Sequence, residues 1–191
     1  MDNYVKINGG MIFSGGEGMK STVNLVILLM SVQFIAVGCS QQNEMIETGP
    51  YNGKPLHIAI IGKEPSVREE HIQFTAIDFT ELQNIEKFDA IFITKENLKE
   101  ADKAKYTTVF NNSPRPILFI ETEKGYVPFI NKEADFDNYP NVDSEAYAYL
   151  YDSQSNKHWG YGLYNDVVNE QNIQDMYSRV FETIEDLSID N

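Results

Sequence analysis

Three stretches of the chain hold side chains whose types and spacing could do chemistry. The first is Gly62-Lys63-Glu64-Pro65-Ser66, directly behind the Ile-rich run LHIAII. Open α/β sheets hold ligands beyond the carboxyl ends of their strands, so Gly62, Lys63 and Ser66 form a candidate ligand loop in which Lys63 and Ser66 could hold an anion. The loop has neither GxGxxG nor a P-loop pattern, and Glu64 and Pro65 are poor partners for phosphate, so a plain strand-to-helix turn is expected there. The second stretch, Asp135 to Glu145, alternates oxygen ligands as a calcium loop does. Pro140 stands where an EF-hand turns on glycine, and Ala146 stands where the bidentate Glu belongs, so a solvated acidic loop is the better expectation. The third is the aromatic set Tyr147, Tyr149, Tyr151, Trp159 and Tyr161. On one face of two paired strands these rings would make a flat platform for stacking on sugar or peptide. The competing expectation is that they bury the second face of a sheet under a helix.

Catalytic signatures are missing from the sequence. His57, His71 and His158 are scattered without HExxH or a paired spacing, no GxSxG occurs, and no obvious nucleophile and base pair is present. No catalytic residue, metal or cofactor is therefore assigned.

These candidates need elements to position them. Leu56 to Gly62, Phe88 to Thr94 and Pro116 to Glu121 are short continuous apolar runs, which predict strands buried on both faces. Ile72 to Phe79 is a weaker strand. Thr80-Glu81-Leu82-Gln83 has capping-box spacing and predicts a short helix ending near Lys87. Between the second and third strong strands, Leu98, Ala101, Tyr106, Val109 and Phe110 predict one helix over 95–111, stopped by Asn111-Asn112-Ser113-Pro114. Residues 122–144 read as a long loop. Glu145 to Asp152 and Lys157 to Tyr164 alternate around a short polar connection, which predicts an antiparallel hairpin. Ile173, Met176, Tyr177, Val180, Phe181, Ile184 and Leu187 then mark an amphipathic helix over 166–187. The fold class expected is α/β: a small mixed, mostly parallel sheet with flanking helices, a C-terminal antiparallel hairpin and a final amphipathic helix.

The balance of 15 basic and 29 acidic residues gives a net charge of −14. Such a surface excludes nucleic acid as a partner, because binding it needs clustered Lys and Arg to displace counterions. Acidic charge also disfavours broad adhesion to anionic lipid, so any attachment to a membrane must come from elsewhere in the chain.

Met19 to Ser40, MKSTVNLVILLMSVQFIAVGCS, supplies it. Lys20 precedes an apolar run from Val23 to Val37 that closes on small residues before Cys39. That is the order of a secretory signal, and the run is shorter than the roughly 20 apolar residues that span a bilayer comfortably. The ending Ala36-Val37-Gly38-Cys39 resembles the lipobox of bacterial lipoproteins, and the whole chain is similar to small lipoproteins of low-GC Gram-positive bacteria. The resemblance implies that the Cys39 thiol is diacylated, that cleavage precedes it, and that the protein stands on the outer face of the cell membrane, anchored through diacylglycerol on Cys39. Two acyl chains meet the requirement that stable anchoring needs more than one, at about 0.8 kcal/mol per buried CH2. Residues 1–18 carry Asp2 and Glu17 against Lys6, which would spoil the positive start of a signal, so Met19 is the expected initiator. The expected organisation is an upstream extension over 1–18, a signal peptide over 19–38, a flexible tether over 39–55 and one α/β domain over 56–191.

Two functions follow as expectations. The first is an extracytoplasmic binding or interaction module for a protein or cell-wall glycan partner, through the aromatic hairpin. The second is a hydrolase or a flavodoxin-like binder of a small ligand, using the strand ends near Gly62, Thr94 and Glu121. An exposed flat Tyr and Trp face would favour the first, and polar groups converging on the strand ends would favour the second.

Overall fold

The computed structural model describes residues 49–142 and 145–189. Cys39, the signal peptide and the upstream extension lie outside the described residues. Six strands form one sheet in the order β2-β1-β3-β4-β5-β6. They are β1 (Leu56–Ile61), β2 (Ile72–Ala76), β3 (Ala90–Ile93), β4 (Ile117–Ile120), β5 (Ala146–Asp152) and β6 (Lys157–Gly162). The first four run parallel, with Leu56 opposite Ile72, Ile58 opposite Ala90 and Ile91 opposite Ile117. β5 and β6 reverse direction, with Ile117 opposite Tyr151 and Leu150 opposite Trp159.

The continuous apolar runs have the role expected of them. Every residue of β3 and β4 is buried, because helices cover both faces of the sheet. On one face Ile58, Ile60, Phe92 and Leu118 pack against Met176, Tyr177, Val180, Phe181 and Ile184 of the long C-terminal helix α4 (Glu170–Ile189). The other face, with Ala59, Ile61, Ile91 and Phe119, is covered by α1 (Leu98–Ala101), α2 (Ala104–Asn111) and α3 (Val127–Ile130). Each large side chain taken fully out of water on these faces contributes about 1.5–3 kcal/mol.

Several local expectations are corrected. The helix over 95–111 is broken. A 3-10 turn over Lys95–Asn97 leads into α1, the chain extends at Lys103, and α2 begins at Ala104. From Ala101 to Tyr106 is five residues, which an unbroken helix would turn through roughly 140° past the starting face. Breaking it at Asp102 and Lys103 resets the phase, so that Leu98, Ala101, Tyr106 and Phe110 all reach the same sheet face. The Thr80 capping box forms two residues earlier. Asp78 accepts from the Thr80 amide at 2.7 Å, Glu81 accepts from the Asp78 amide at 2.9 Å, and the helix amounts to one turn over Phe79–Glu81. The loop over 122–144 contains α3. The final helix begins at Glu170, later than expected, because Asn169 caps it with its side chain on the Asn172 amide at 2.8 Å.

The stretch read as tether is not free over its described part. Tyr51 is buried, stacked on His71 with ring centroids 5.4 Å apart, and its amide donates to Glu69 at 3.0 Å. An aromatic ring in an otherwise polar, Gly- and Pro-containing segment found an apolar place to go, so packing on the domain begins before β1. Among the described residues, no helix is long and apolar enough to cross a membrane.

Candidate functional site

Of the three chemistry-bearing stretches, the aromatic hairpin is placed differently from the one-face expectation. Residues directly opposite across paired strands share a face, and Trp159 and Tyr161 stand opposite Leu150 and Ala148. They therefore point to the α4 side, whereas Tyr149 and Tyr151, opposite Gly160 and His158, point to the other. Tyr147 breaks the alternation. The register shifts between Ala146 and Ala148, so Tyr147 is the extra residue of a bulge and joins Trp159 and Tyr161 on the α4 side. The platform does not form, because Tyr149, Tyr151 and Tyr161 are all buried. The Tyr161 hydroxyl donates to Thr183 of α4 at 2.7 Å, and burial pushes its phenol up to about 12. Tyr151 instead stacks under Tyr126 at 5.7 Å, and Tyr126 stacks on His158 at 4.4 Å.

The acidic loop satisfies its own charges. Lys99 reaches Asp137 at 2.5 Å, Lys124 donates to the Tyr139 carbonyl at 2.7 Å, and Asp135 accepts from the Asp137 amide and the Asn138 side chain. Ser144 and Asp143 lie outside the described residues. Among the described residues, no three His, Cys, Asp or Glu side chains converge as metal ligands.

The ligand loop opens onto a cavity of about 470 Å³. It lies beyond the carboxyl ends of β1, β3 and β4, and it spans the point where the strand order reverses between β1 and its two neighbours. Lys63 to Ser66 form the wall after β1, Thr94 and Glu96 the wall after β3, and Ile120 and Glu121 the wall after β4. Tyr147 of the bulge enters from β5, and Asn169, Glu170, Ile173 and Tyr177 close the top from α4 and its cap.

Gly62 makes the close approach of the first two walls possible. Its φ is +124°, and a Cβ there would stand 1.9 Å from the Thr94 hydroxyl. Thr94 and Asn97 in turn converge on the Ile61 carbonyl, which accepts from the Thr94 amide at 3.1 Å and the Asn97 side chain at 3.3 Å. Glu121 departs from ordinary backbone geometry in the opposite wall, with φ +55°. A non-glycine residue held in the left-handed region costs on the order of 1–3 kcal/mol, and such costs cluster at sites where the side chain has a task.

The electrostatics of the cavity are acidic. Lys63 and Ser66 do not face an open anion site: Ser66 stands 3.4 Å from the Glu170 carboxylate as its donor, and Lys63 lies near enough to Glu96 to help hold that carboxyl below its usual range. The largest cause of the Glu96 shift is its hydrogen bond with Thr94. Lys95 pairs with Glu121 at 3.5 Å on an exposed rim. The phenols of Tyr147 and Tyr177 are raised by burial first and then by Glu121, which places the polar ends of both rings toward that carboxylate. Tyr177 is only 3% exposed as a residue, and it lines the cavity.

No family model matches the chain, and no curated protein or solved structure matches it. The functional reading therefore rests on the geometry of the cleft. Glu96, Asn169, Glu170 and Tyr177 are polar lining residues that the sequence did not single out as ligand-binding candidates. The only sequence signal for Glu121 was its place at the end of a predicted strand. Tyr177 was hidden in the apolar stripe of α4, where it reads as core.

Proposed function

We propose that the chain is a lipid-anchored, extracytoplasmic domain that binds a small ligand in the cleft at the carboxyl ends of β1, β3 and β4. The observation that carries this reading is a cavity of about 470 Å³ at the strand ends, reached by the Tyr177 side chain and within the roughly 300–1,000 Å³ range of small-molecule sites. The position at the reversal of strand order and the left-handed backbone at Glu121 support the same reading. The anchor and the location rest on the leader residues Met19 to Cys39.

The hairpin offers less support for a protein or glycan platform, since three of its five rings are buried. The test is thermal shift on the full chain in detergent micelles, screened with amines, amino acids, sugars, carboxylates and nucleotides, for the wild type and for Ser66→Trp. Ser66 is exposed at the mouth, so the indole fills the entrance without disturbing the core. A compound that raises the melting temperature of the wild type and not of Ser66→Trp supports the reading, because a ligand stabilises the state it binds. A screen without hits, or hits that Ser66→Trp retains, overturns it.

A further inference from the structure

We infer that the ligand of this cleft is an organic cation, a protonated amine on a short apolar or aromatic stem; the inference rests on the cleft being a small-ligand site. Four carboxylates, those of Glu64, Glu96, Glu121 and Glu170, line the cavity, against the single lining cation Lys63. Lys63 and Lys95 already lie beside Glu96 and Glu121 respectively, and no arginine is among the lining residues. An anion entering the cleft would meet a net negative field. The N-terminus of α4 does not reverse this balance, because Asn169 caps its first turn and Glu170 places a carboxylate there.

The rest of the lining fits the stem of such a ligand. Pro65, Ile120, Val168 and Ile173 give apolar walls, and Tyr147 and Tyr177 give ring faces of the kind that attract ammonium groups. Tyr177, 3% exposed, is the most buried polar side chain of the lining. Beside Glu121 its hydroxyl can accept from an ammonium whose other protons go to the carboxylate. A divalent metal ion fits less well, since no three acidic or imidazole groups of the described residues converge to ligate one.

Charge can be separated from shape with three probes of one size: phenethylamine, 2-phenylethanol and phenylacetate. Each is titrated calorimetrically into the full wild-type chain in detergent micelles, and then into Glu121→Gln, Tyr177→Phe and Ser66→Trp, whose melting temperatures without ligand provide the folding control. The expected order is amine tighter than alcohol and alcohol tighter than carboxylate. Amine affinity should fall about tenfold or more in Glu121→Gln, the loss expected for one charged hydrogen bond. It should fall severalfold in Tyr177→Phe and disappear in Ser66→Trp. The alcohol should respond little to Glu121→Gln. If the alcohol or the carboxylate binds as well as the amine and loses binding in Ser66→Trp, the cationic assignment is overturned and the cleft stands as a site for another class. If the amine fails to bind, the assignment is overturned as well, and the broader compound screen decides the fate of the cleft. If the amine binds equally to Ser66→Trp, both readings fail.

Discussion

Gly62 and Thr94 approach so closely that a methyl group on Gly62 would lie 1.9 Å from the Thr94 hydroxyl, with the Asn97 amide nitrogen at 2.8 Å. Two walls of the cleft meet there, and the backbone of Gly62 also sits at φ +124°, where side chains are strained. Gly62→Ala therefore suffers twice, from backbone conformation and from overlap. Destabilisation of roughly 3 kcal/mol or more is expected, measured as a lowered denaturant midpoint at unchanged slope. A variant as stable as the wild type would show that the two walls are not held together at this point.

Tyr51 tests where the folded domain begins. It is 2% exposed, stacks on His71, lies 5.9 Å from the Phe181 ring and hydrogen-bonds the Lys54 carbonyl through its hydroxyl at 2.9 Å. Truncation of a buried aromatic ring costs about 3–5 kcal/mol, so Tyr51→Ala should unfold at a distinctly lower denaturant concentration. If residues before Leu56 were only a leash, the substitution would change nothing measurable.

The strands were legible because β1, β3 and β4 are buried on both faces, a condition that writes itself as an unbroken apolar run such as AIFI or ILFI. The hairpin was legible from alternation, yet the faces of its rings were not. One extra residue at Tyr147 moves that ring to the side of its neighbour Ala148, and no local pattern distinguishes a bulge from a regular strand. The break at Asp102 escaped for a related reason: apolar residues on both sides of it satisfy a loose helical template, and only the five-residue step from Ala101 to Tyr106 betrays the change of phase. The cleft was half visible. Gly62 to Ser66 could be placed at a strand end, but the carboxylates that decide its charge arrive from three other segments far apart in the chain.

Asp102 should be a source of instability that depends on pH. Burial raises its carboxyl above the ordinary value, with Asp135 and Asp137 adding to the effect and the Phe136 amide opposing it. One oxygen accepts that amide at 2.9 Å and the other is buried without a partner. Because the folded value lies above the unfolded one, the charged form costs stability at every pH above the folded value, and the cost vanishes as pH falls below the unfolded value. Asp102→Asn keeps an acceptor for Phe136 and removes the charge. Its melting temperature should exceed that of the wild type near neutral pH, and the difference should shrink as the pH is lowered toward 4. A difference that grows on acidification would mean that the carboxylate is stabilising.

In the proposed lipid-anchored protein, the location of the cleft would depend on chemistry at one atom, the thiol of Cys39, behind the apolar run of Met19 to Val37. Palmitate supplied to cells making the native chain should label it, and Cys39→Ser should carry no label, because an oxygen in that place does not form the thioether. On the lipobox reading the same substitution should also leave the leader of residues 19–38 attached, seen as a larger mass than the native chain, because the cut follows diacylation. Equal labelling of both chains would assign the lipid to another residue, and labelling of neither would detach the cleft from the membrane surface altogether. In that last case an amine-binding cleft would still be testable in solution, so the anchor and the binding chemistry stand or fall on separate measurements.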